Sequence, residues 1–122
     1  MKDRETDLII QLASNLVNAI RKLEPQFESA FYRFYVEDYQ LESCSSYTVP
    51  GDVFIVSALD QDEFFVSMND ICLELMREMG KSAGLLLITV HKNFDYKIEF
   101  EYENMNKWNI SLLDGGIGIP TE

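Results

Sequence analysis

The apolar residues near the start of the chain recur at the spacing of one helical face. They are Ile9, Leu12, Ala13, Leu16, Ile20 and Leu23. Because an α-helix turns once every 3.6 residues, this spacing predicts an amphipathic helix from Thr6 to Leu23. A residue that precedes proline is pushed away from helical geometry, so Pro25 ends the helix.

The next part of the chain is rich in aromatic and apolar residues. Strands are the favoured interpretation, with a helix as the alternative, because aromatic runs can also be helical. Three strands are predicted here, from Phe27 to Val36, from Tyr39 to Val49 and from Val53 to Ala58. Proline and glycine favour turns, so Pro50-Gly51-Asp52 separates the last two strands.

A second helix is predicted after Asp60. Asp60 is positioned to cap it, and Glu63 follows three residues later, as in a capping box. The helical stripe comprises Phe64, Phe65, Met68, Ile71, Cys72, Leu75, Met76 and Met79. Gly80 suits the position after the helix. One alternative is that this stripe forms a groove for a binding partner. A helix whose apolar face packs on the core explains the stripe better.

Strict alternation of apolar and charged residues marks the last regular segment. Leu85 to His91 is an unbroken apolar run, and after Lys92-Asn93 the alternation extends to Glu103. Because side chains alternate faces along a strand, one face is predicted to be buried and the other charged. The buried set is Phe94, Tyr96, Ile98, Phe100 and Tyr102, and the charged set is Asp95, Lys97, Glu99, Glu101 and Glu103. The two runs form a predicted antiparallel hairpin, and Trp108, Ile110 and Leu112 are candidates for a further short strand.

These elements predict an α+β fold in which a mostly antiparallel β-sheet packs against two amphipathic helices. A chain of 122 residues fits a single domain, residues 1–122. The glycine-rich residues 114–122 are predicted to form an irregular tail. The sequence leaves the strand order and the oligomeric state open.

The charge of the chain is strongly negative. Asp and Glu number 21 and Lys and Arg number 10, which gives a net charge of −11. Such a surface repels nucleic acid phosphates and anionic lipids, so direct nucleic acid or membrane binding is disfavoured and a basic protein partner is favoured. The alternative is that the acidity serves only solubility.

The location expected from the sequence is the cytoplasm. No apolar run approaches the ~20 residues of a membrane span, and the charged start does not resemble a cleaved signal peptide. The two cysteines, Cys44 and Cys72, are then reduced thiols.

Catalytic and metal-binding patterns are weak. His91 is the only histidine, and no motif places Cys44 near it. Asp60 and Asp62 resemble the start of a calcium loop, but Phe65 stands where that loop needs glycine. No metal site is therefore expected.

The glycines of the tail resemble a phosphate loop, but too few residues follow Gly118 to build the helix that would hold the anion. Glutamates on the alternating strand could pair for acid/base catalysis, yet they are predicted to face solvent without an apolar pocket. The sequence therefore predicts no enzyme and no cofactor.

The acidic row of the alternating strand is the best candidate site. Like charges in a row repel each other, and a cationic partner would relieve that repulsion. The predicted partner-binding residues are Asp95, Glu99, Glu101 and Glu103.

The segment from Phe94 to Met105, together with the order of helices and aromatic strands, resembles the YezG-like immunity proteins of bacterial polymorphic toxin and contact-dependent growth inhibition systems. The motif-like part is Phe-x-Tyr-x-Ile-x-Phe-x-Tyr-Glu-Asn, residues 94–104. The resemblance implies direct binding to a cognate toxin, often a nuclease, whose active site or substrate access is blocked. The alternative is an acidic adaptor or regulatory subunit without a toxin partner, which makes contact through exposed aromatic residues.

Overall fold

A computed structural model describes residues 2–110 and 118–120 of the chain. In chain order, the elements of this part are α1 (Lys2–Leu23), β1 (Ser29–Glu37), β2 (Gln40–Val49), β3 (Asp52–Ile55), α2 (Asp62–Glu78), β4 (Gly84–His91) and β5 (Tyr96–Glu101). Neither helix is long and apolar enough to cross a membrane.

The five strands form one antiparallel sheet in the order β3-β2-β1-β4-β5. β1 lies at the centre and pairs with β2 on one side and β4 on the other, so that Phe34 lies opposite both Ser43 and Leu86. The predicted α+β class is confirmed, as is the hairpin of β4 and β5.

The core lies between the sheet and the two helices. Alternate residues of β1, among them Tyr32 and Phe34, are fully buried on the helix side. They meet Leu12 and Leu16 of α1, which are also fully buried. Each such side chain contributes about 1.5–3 kcal/mol through its removal from water. The helical period of α1 and the two-residue period of β1 therefore fix which face each element turns inward.

Helix α1 begins at Lys2, four residues before the predicted start at Thr6. The first turn contains Asp3 and Glu5, and negative side chains at a helix N-terminus are stabilised by the helix dipole. These charges extend the helix beyond its apolar stripe. It ends at Leu23, as Pro25 predicted.

The predicted cap of α2 at Asp60 is wrong. The N-cap residue is Gln61, whose side chain makes no capping hydrogen bond, and the Asp60 amide donates instead to Ser57 Oγ at 3.3 Å. Asp62 and Glu63 stand in the first turn, where their negative charges interact favourably with the positive end of the helix dipole. The helix N-terminus is therefore stabilised by charge and not by a capping box.

The C-terminus of α2 follows the sequence prediction. Gly80 has a φ of 73°, and its amide donates to Arg77 O at 3.0 Å. The Lys81 amide donates to Met76 O at 2.9 Å, which completes a Schellman motif.

The predicted turn at Pro50-Gly51 is present, with a φ of 81° at Gly51. β3 ends at Ile55, three residues before the predicted Ala58.

No further strand of the described part follows β5, although Asn109 forms a single β-bridge. Trp108 and Ile110 are buried in an irregular segment, and Leu112 lies outside the described residues. Of the predicted tail, only residues 118–120 are described. Gly118 is buried against Val53 of β3, since a Cβ added at Gly118 would lie 2.7 Å from Val53 Cγ1.

Candidate protein-binding face

The sheet has a second face, turned away from the helices. Its centre is made by the odd-numbered residues of the three strands β1, β4 and β5, because the register places these residues opposite one another. We call it the open face and define it by Phe31, Arg33, Tyr35, Leu85, Leu87, Thr89, His91, Lys97, Glu99 and Glu101. Its apolar residues lie near the middle, and its charged residues lie on β5 except for Arg33, which lies on β1.

The chain after β5 covers part of the open face. Trp108 packs on Leu85 and Leu87 and is only 4% exposed. Arg33, in the middle of the sheet, fixes this segment, since its Nε donates to Lys107 O at 2.8 Å and its Nη2 donates to Met105 O at 3.2 Å. A charged residue in the centre of a strand thus serves as an anchor for irregular backbone.

Glu101 also holds this segment. Its Oε2 accepts hydrogen bonds from the amides of Asn104 and Glu103 at 3.1 and 3.0 Å, and Lys107 Nζ lies 3.4 Å from its Oε1. The two amides, Asn104 first, hold the pKa of the Glu101 carboxyl below its usual value. This carboxylate is therefore engaged within the molecule.

Beside Trp108, the part of the open face that no described residue covers forms a groove, which Pro120 also lines. Phe31 and Leu87 contribute apolar surface to its lining, and Asp95, Lys97 and Glu99 supply charge. Lys97 Nζ lies 3.7 Å from Glu99 Oε1, and both side chains are well exposed. With two carboxylates and one ammonium group among these residues, the charged part of the groove is negative.

The four predicted partner-binding residues fall into two groups. Asp95 and Glu99 both line the groove. Glu101 lies at the opposite end of β5, where it is engaged with the following segment, and Glu103 is exposed beyond the end of the strand. Asp95 precedes the strand, in a turn where its amide donates to Asn93 Oδ1 at 3.0 Å.

The predicted burial of all five apolar residues of the alternating segment is partly wrong. Ile98 and Phe100 pack against the core, but Phe94, Tyr96 and Tyr102 are 41%, 42% and 38% exposed. β5 is an edge strand of only six residues, so Phe94 and Tyr102 lie beyond its ends. The segment therefore presents aromatic surface as well as charge.

One polar contact was not predicted. Ser29 and His91 lie opposite each other on β1 and β4, and Ser29 Oγ lies 2.7 Å from His91 Nδ1. This is the distance of a nucleophile and its base. No described side chain hydrogen-bonds the other ring nitrogen, so the third member of a catalytic triad is missing from the described residues. The pairing of strands was needed to find this contact, since the two residues are 62 positions apart.

Cys44 is placed away from this contact. Cys44 lies opposite Arg33, four residues along β1 from Ser29, which corresponds to about 13 Å. Burial raises the pKa of both the Cys44 and the Cys72 thiols, so both are protonated at neutral pH. Neither thiol has the character of an activated nucleophile.

Within residues 2–110 and 118–120, no three His, Cys, Asp or Glu side chains come together as a metal site would require. No protein-family model matches the chain, and a search of curated proteins finds no relative.

Proposed function

We propose that this protein is an immunity protein that binds a cognate toxin domain with a basic surface and neutralises it by direct contact. The observation that carries the proposal is the groove on the open face, where Asp95 and Glu99 stand beside apolar surface. The sequence resemblance to YezG-like immunity proteins supplies the class of partner, with a nuclease as the expected toxin.

The arrangement of the groove supports a protein as the partner. Protein interfaces combine an apolar centre with a polar rim. Here Phe31 and Leu87 supply apolar surface, and the exposed charges of Lys97 and Glu99 lie at the edge strand.

The charge of the chain supports a basic partner. A net charge of −11 attracts a cationic protein over a distance of about one Debye length and raises the association rate. A nuclease domain binds phosphates and therefore carries a basic surface. An inhibitor with an acidic face would occupy that surface and exclude the nucleic acid.

The partner can be sought first as the product of the adjacent upstream gene, by co-purification. Asp95→Lys combined with Glu99→Lys then tests the site, because both carboxylates line the groove. The matched control is Asp7→Lys with Asp70→Lys, which changes two exposed helix residues. Each substitution adds two charges, so both double variants shift the net charge from −11 to −7.

We expect the groove variant to lose toxin binding and protection of the host, and the control variant to retain both. Isothermal titration calorimetry measures the binding, and circular dichroism confirms that each variant is folded. Equal toxin affinity of the two variants would reject the groove as the binding site. Glu101 is left unchanged in this design because its carboxylate holds the segment after β5.

An acidic adaptor or regulatory subunit is the second candidate. It is favoured by the aromatic residues Phe94, Tyr96 and Tyr102, each more than a third exposed at the β5 edge of the sheet. An adjacent gene that encodes no toxin, together with co-purification of a non-toxic protein, would support this second function over the first.

A further inference from the structure

β5 is the last strand on its side of the sheet, and its outer backbone groups are unpaired among the described residues. The His91 amide donates to Asp95 O at 2.8 Å, which identifies these two residues as a hydrogen-bonded pair. Such pairs alternate along an antiparallel ladder. The backbone groups of Lys97 and Glu99 therefore point toward β4, and those of Tyr96, Ile98 and Phe100 point outward.

The order of residues along this strand is symmetric about Ile98. Tyr96 and Phe100 are aromatic and lie two positions away on either side. Lys97 and Glu99 lie one position away and carry opposite charges. When two copies of such a strand run antiparallel with Ile98 of one copy opposite Ile98 of the other, Lys97 of each copy faces Glu99 of the other copy.

We propose that β5 pairs with β5 of a second copy of this chain and joins the two five-stranded sheets into one continuous sheet. The outward groups of Ile98 exchange two hydrogen bonds, and each of the two pairs of Tyr96 with Phe100 exchanges two more, about six in all. Identical surfaces that meet in this way form a closed twofold dimer.

The side chains across the pairing are complementary. On the open face, two Lys97–Glu99 pairs form, and cross-strand pairs of opposite charge stabilise a sheet. On the helix side, Tyr96 of one copy meets Phe100 of the other, and aromatic pairs are also favourable. At the two ends of the pairing, Asp95 faces Glu101 of the second copy, and like charges directly opposite each other are destabilising. Lys107 offsets the charge of Glu101, since its Nζ lies 3.4 Å from Glu101 Oε1.

The opposite edge of the sheet is less suited to pairing. β3 has only four residues, and short edge strands are one way in which proteins prevent edge-to-edge contact. β5 is longer and contains no proline. Two antiparallel copies of the strand Tyr96–Glu101 place opposite charges across from each other. Two copies of β3, Asp52–Ile55, do not.

Sedimentation velocity of the purified protein tests this pairing, and no toxin is needed. The wild-type protein is expected to sediment as a species with twice the chain mass of 14.1 kDa. Lys97→Glu places four carboxylates across the pairing, and Glu99→Lys places four ammonium groups there. Each variant alone should raise the dissociation constant of the dimer by about tenfold to a hundredfold. An equal mixture of the two restores opposite charges at both positions and should form the heterodimer.

Tyr96→Pro provides an independent variant. Proline is tolerated on an edge strand when the lost N–H points to solvent, so this variant should fold and remain monomeric. Circular dichroism confirms folding of all three variants.

A monomeric wild type at its highest soluble concentration would overturn the proposal. So would dimers of Lys97→Glu and Glu99→Lys alone that are as stable as wild type, because the contact would then lie elsewhere. Monomers in the mixture of the two variants would likewise exclude the antiparallel register. Sedimentation needs no toxin, so the dimer can fail while toxin binding stands. Lys97→Glu and Tyr96→Pro leave the groove carboxylates Asp95 and Glu99 in place, so toxin binding by these two variants separates the groove from the dimer.

Discussion

Substitution of Gly84 by alanine is expected to destabilise the fold more than substitution of any glycine in an open turn. Gly84 begins β4 with a φ of 155°, a conformation that side chains disfavour. An added Cβ would lie 2.7 Å from Tyr102 Cδ1 and 2.9 Å from Met76 Cε. The methionine methyl can move more easily than the tyrosine ring, which stacks on Phe100 at 6.4 Å between centroids and has Lys81 Nζ 4.5 Å from its centroid.

The magnitude follows from two terms. Backbone strain at a disfavoured φ costs about 1–3 kcal/mol, and overpacking costs a further ~1–3 kcal/mol. Gly84→Ala should therefore lower the free energy of unfolding by about 2–6 kcal/mol. Gly51→Ala is the matched control, since Gly51 also has a positive φ, 81°, but has nothing within 4 Å of an added Cβ. It should cost about 1 kcal/mol.

Urea unfolding followed by far-UV circular dichroism measures both variants. The double variant Gly84→Ala with Tyr102→Ala removes the contacting ring and should recover part of the loss, so the two substitutions should not add. If Gly84→Ala cost no more than Gly51→Ala, or if Tyr102→Ala gave no recovery, the steric argument would be refuted.

Two further predictions concern other positions. Tyr39 is fully exposed with a φ of 66° beside Asp38, whose φ is 52°, so the β1–β2 turn needs two residues in the left-handed region. Tyr39→Gly should raise the free energy of unfolding by about 0.5–1 kcal/mol in urea titrations, and a loss of stability would contradict this interpretation of the turn. The pKa of Glu101 is lowered in the folded state, so its stabilising effect is present above its usual pKa of 4.5 and is lost as the pH falls through the lowered value. The stability difference between wild type and Glu101→Gln should therefore be largest near neutral pH and shrink as the pH falls below 4.5, and a constant difference would argue against a role for the charge.

The helices and strands were predictable because their periods are strong. The stripe from Leu12 to Ile20 and the alternation of Tyr96 to Glu101 each specify both the element and its buried face. The helix cap at Asp60 was not predictable in this way, because several neighbouring residues can cap and the local backbone decides among them. Sequence patterns of this kind carry little information about the first residue of a helix.

The candidate site was only partly predictable. The alternation indicated that Asp95 and Glu99 share a face, and they do line one groove. It did not indicate that Glu101 is engaged by the amides of Asn104 and Glu103, because irregular segments have no period to read. The Ser29–His91 contact was missed for a related reason, since it depends on strand order, which no local pattern encodes.

Trp108 has a consequence for how this protein can be observed. It is the only tryptophan of the chain, and it lies on the open face with Lys107 Nζ 5.2 Å from its ring. Tryptophan emission therefore reports on the segment that Arg33 and Glu101 hold in place, whereas circular dichroism reports on the helices and the sheet. The protein thus contains a built-in optical probe beside its candidate binding groove, and no label is needed to follow events there.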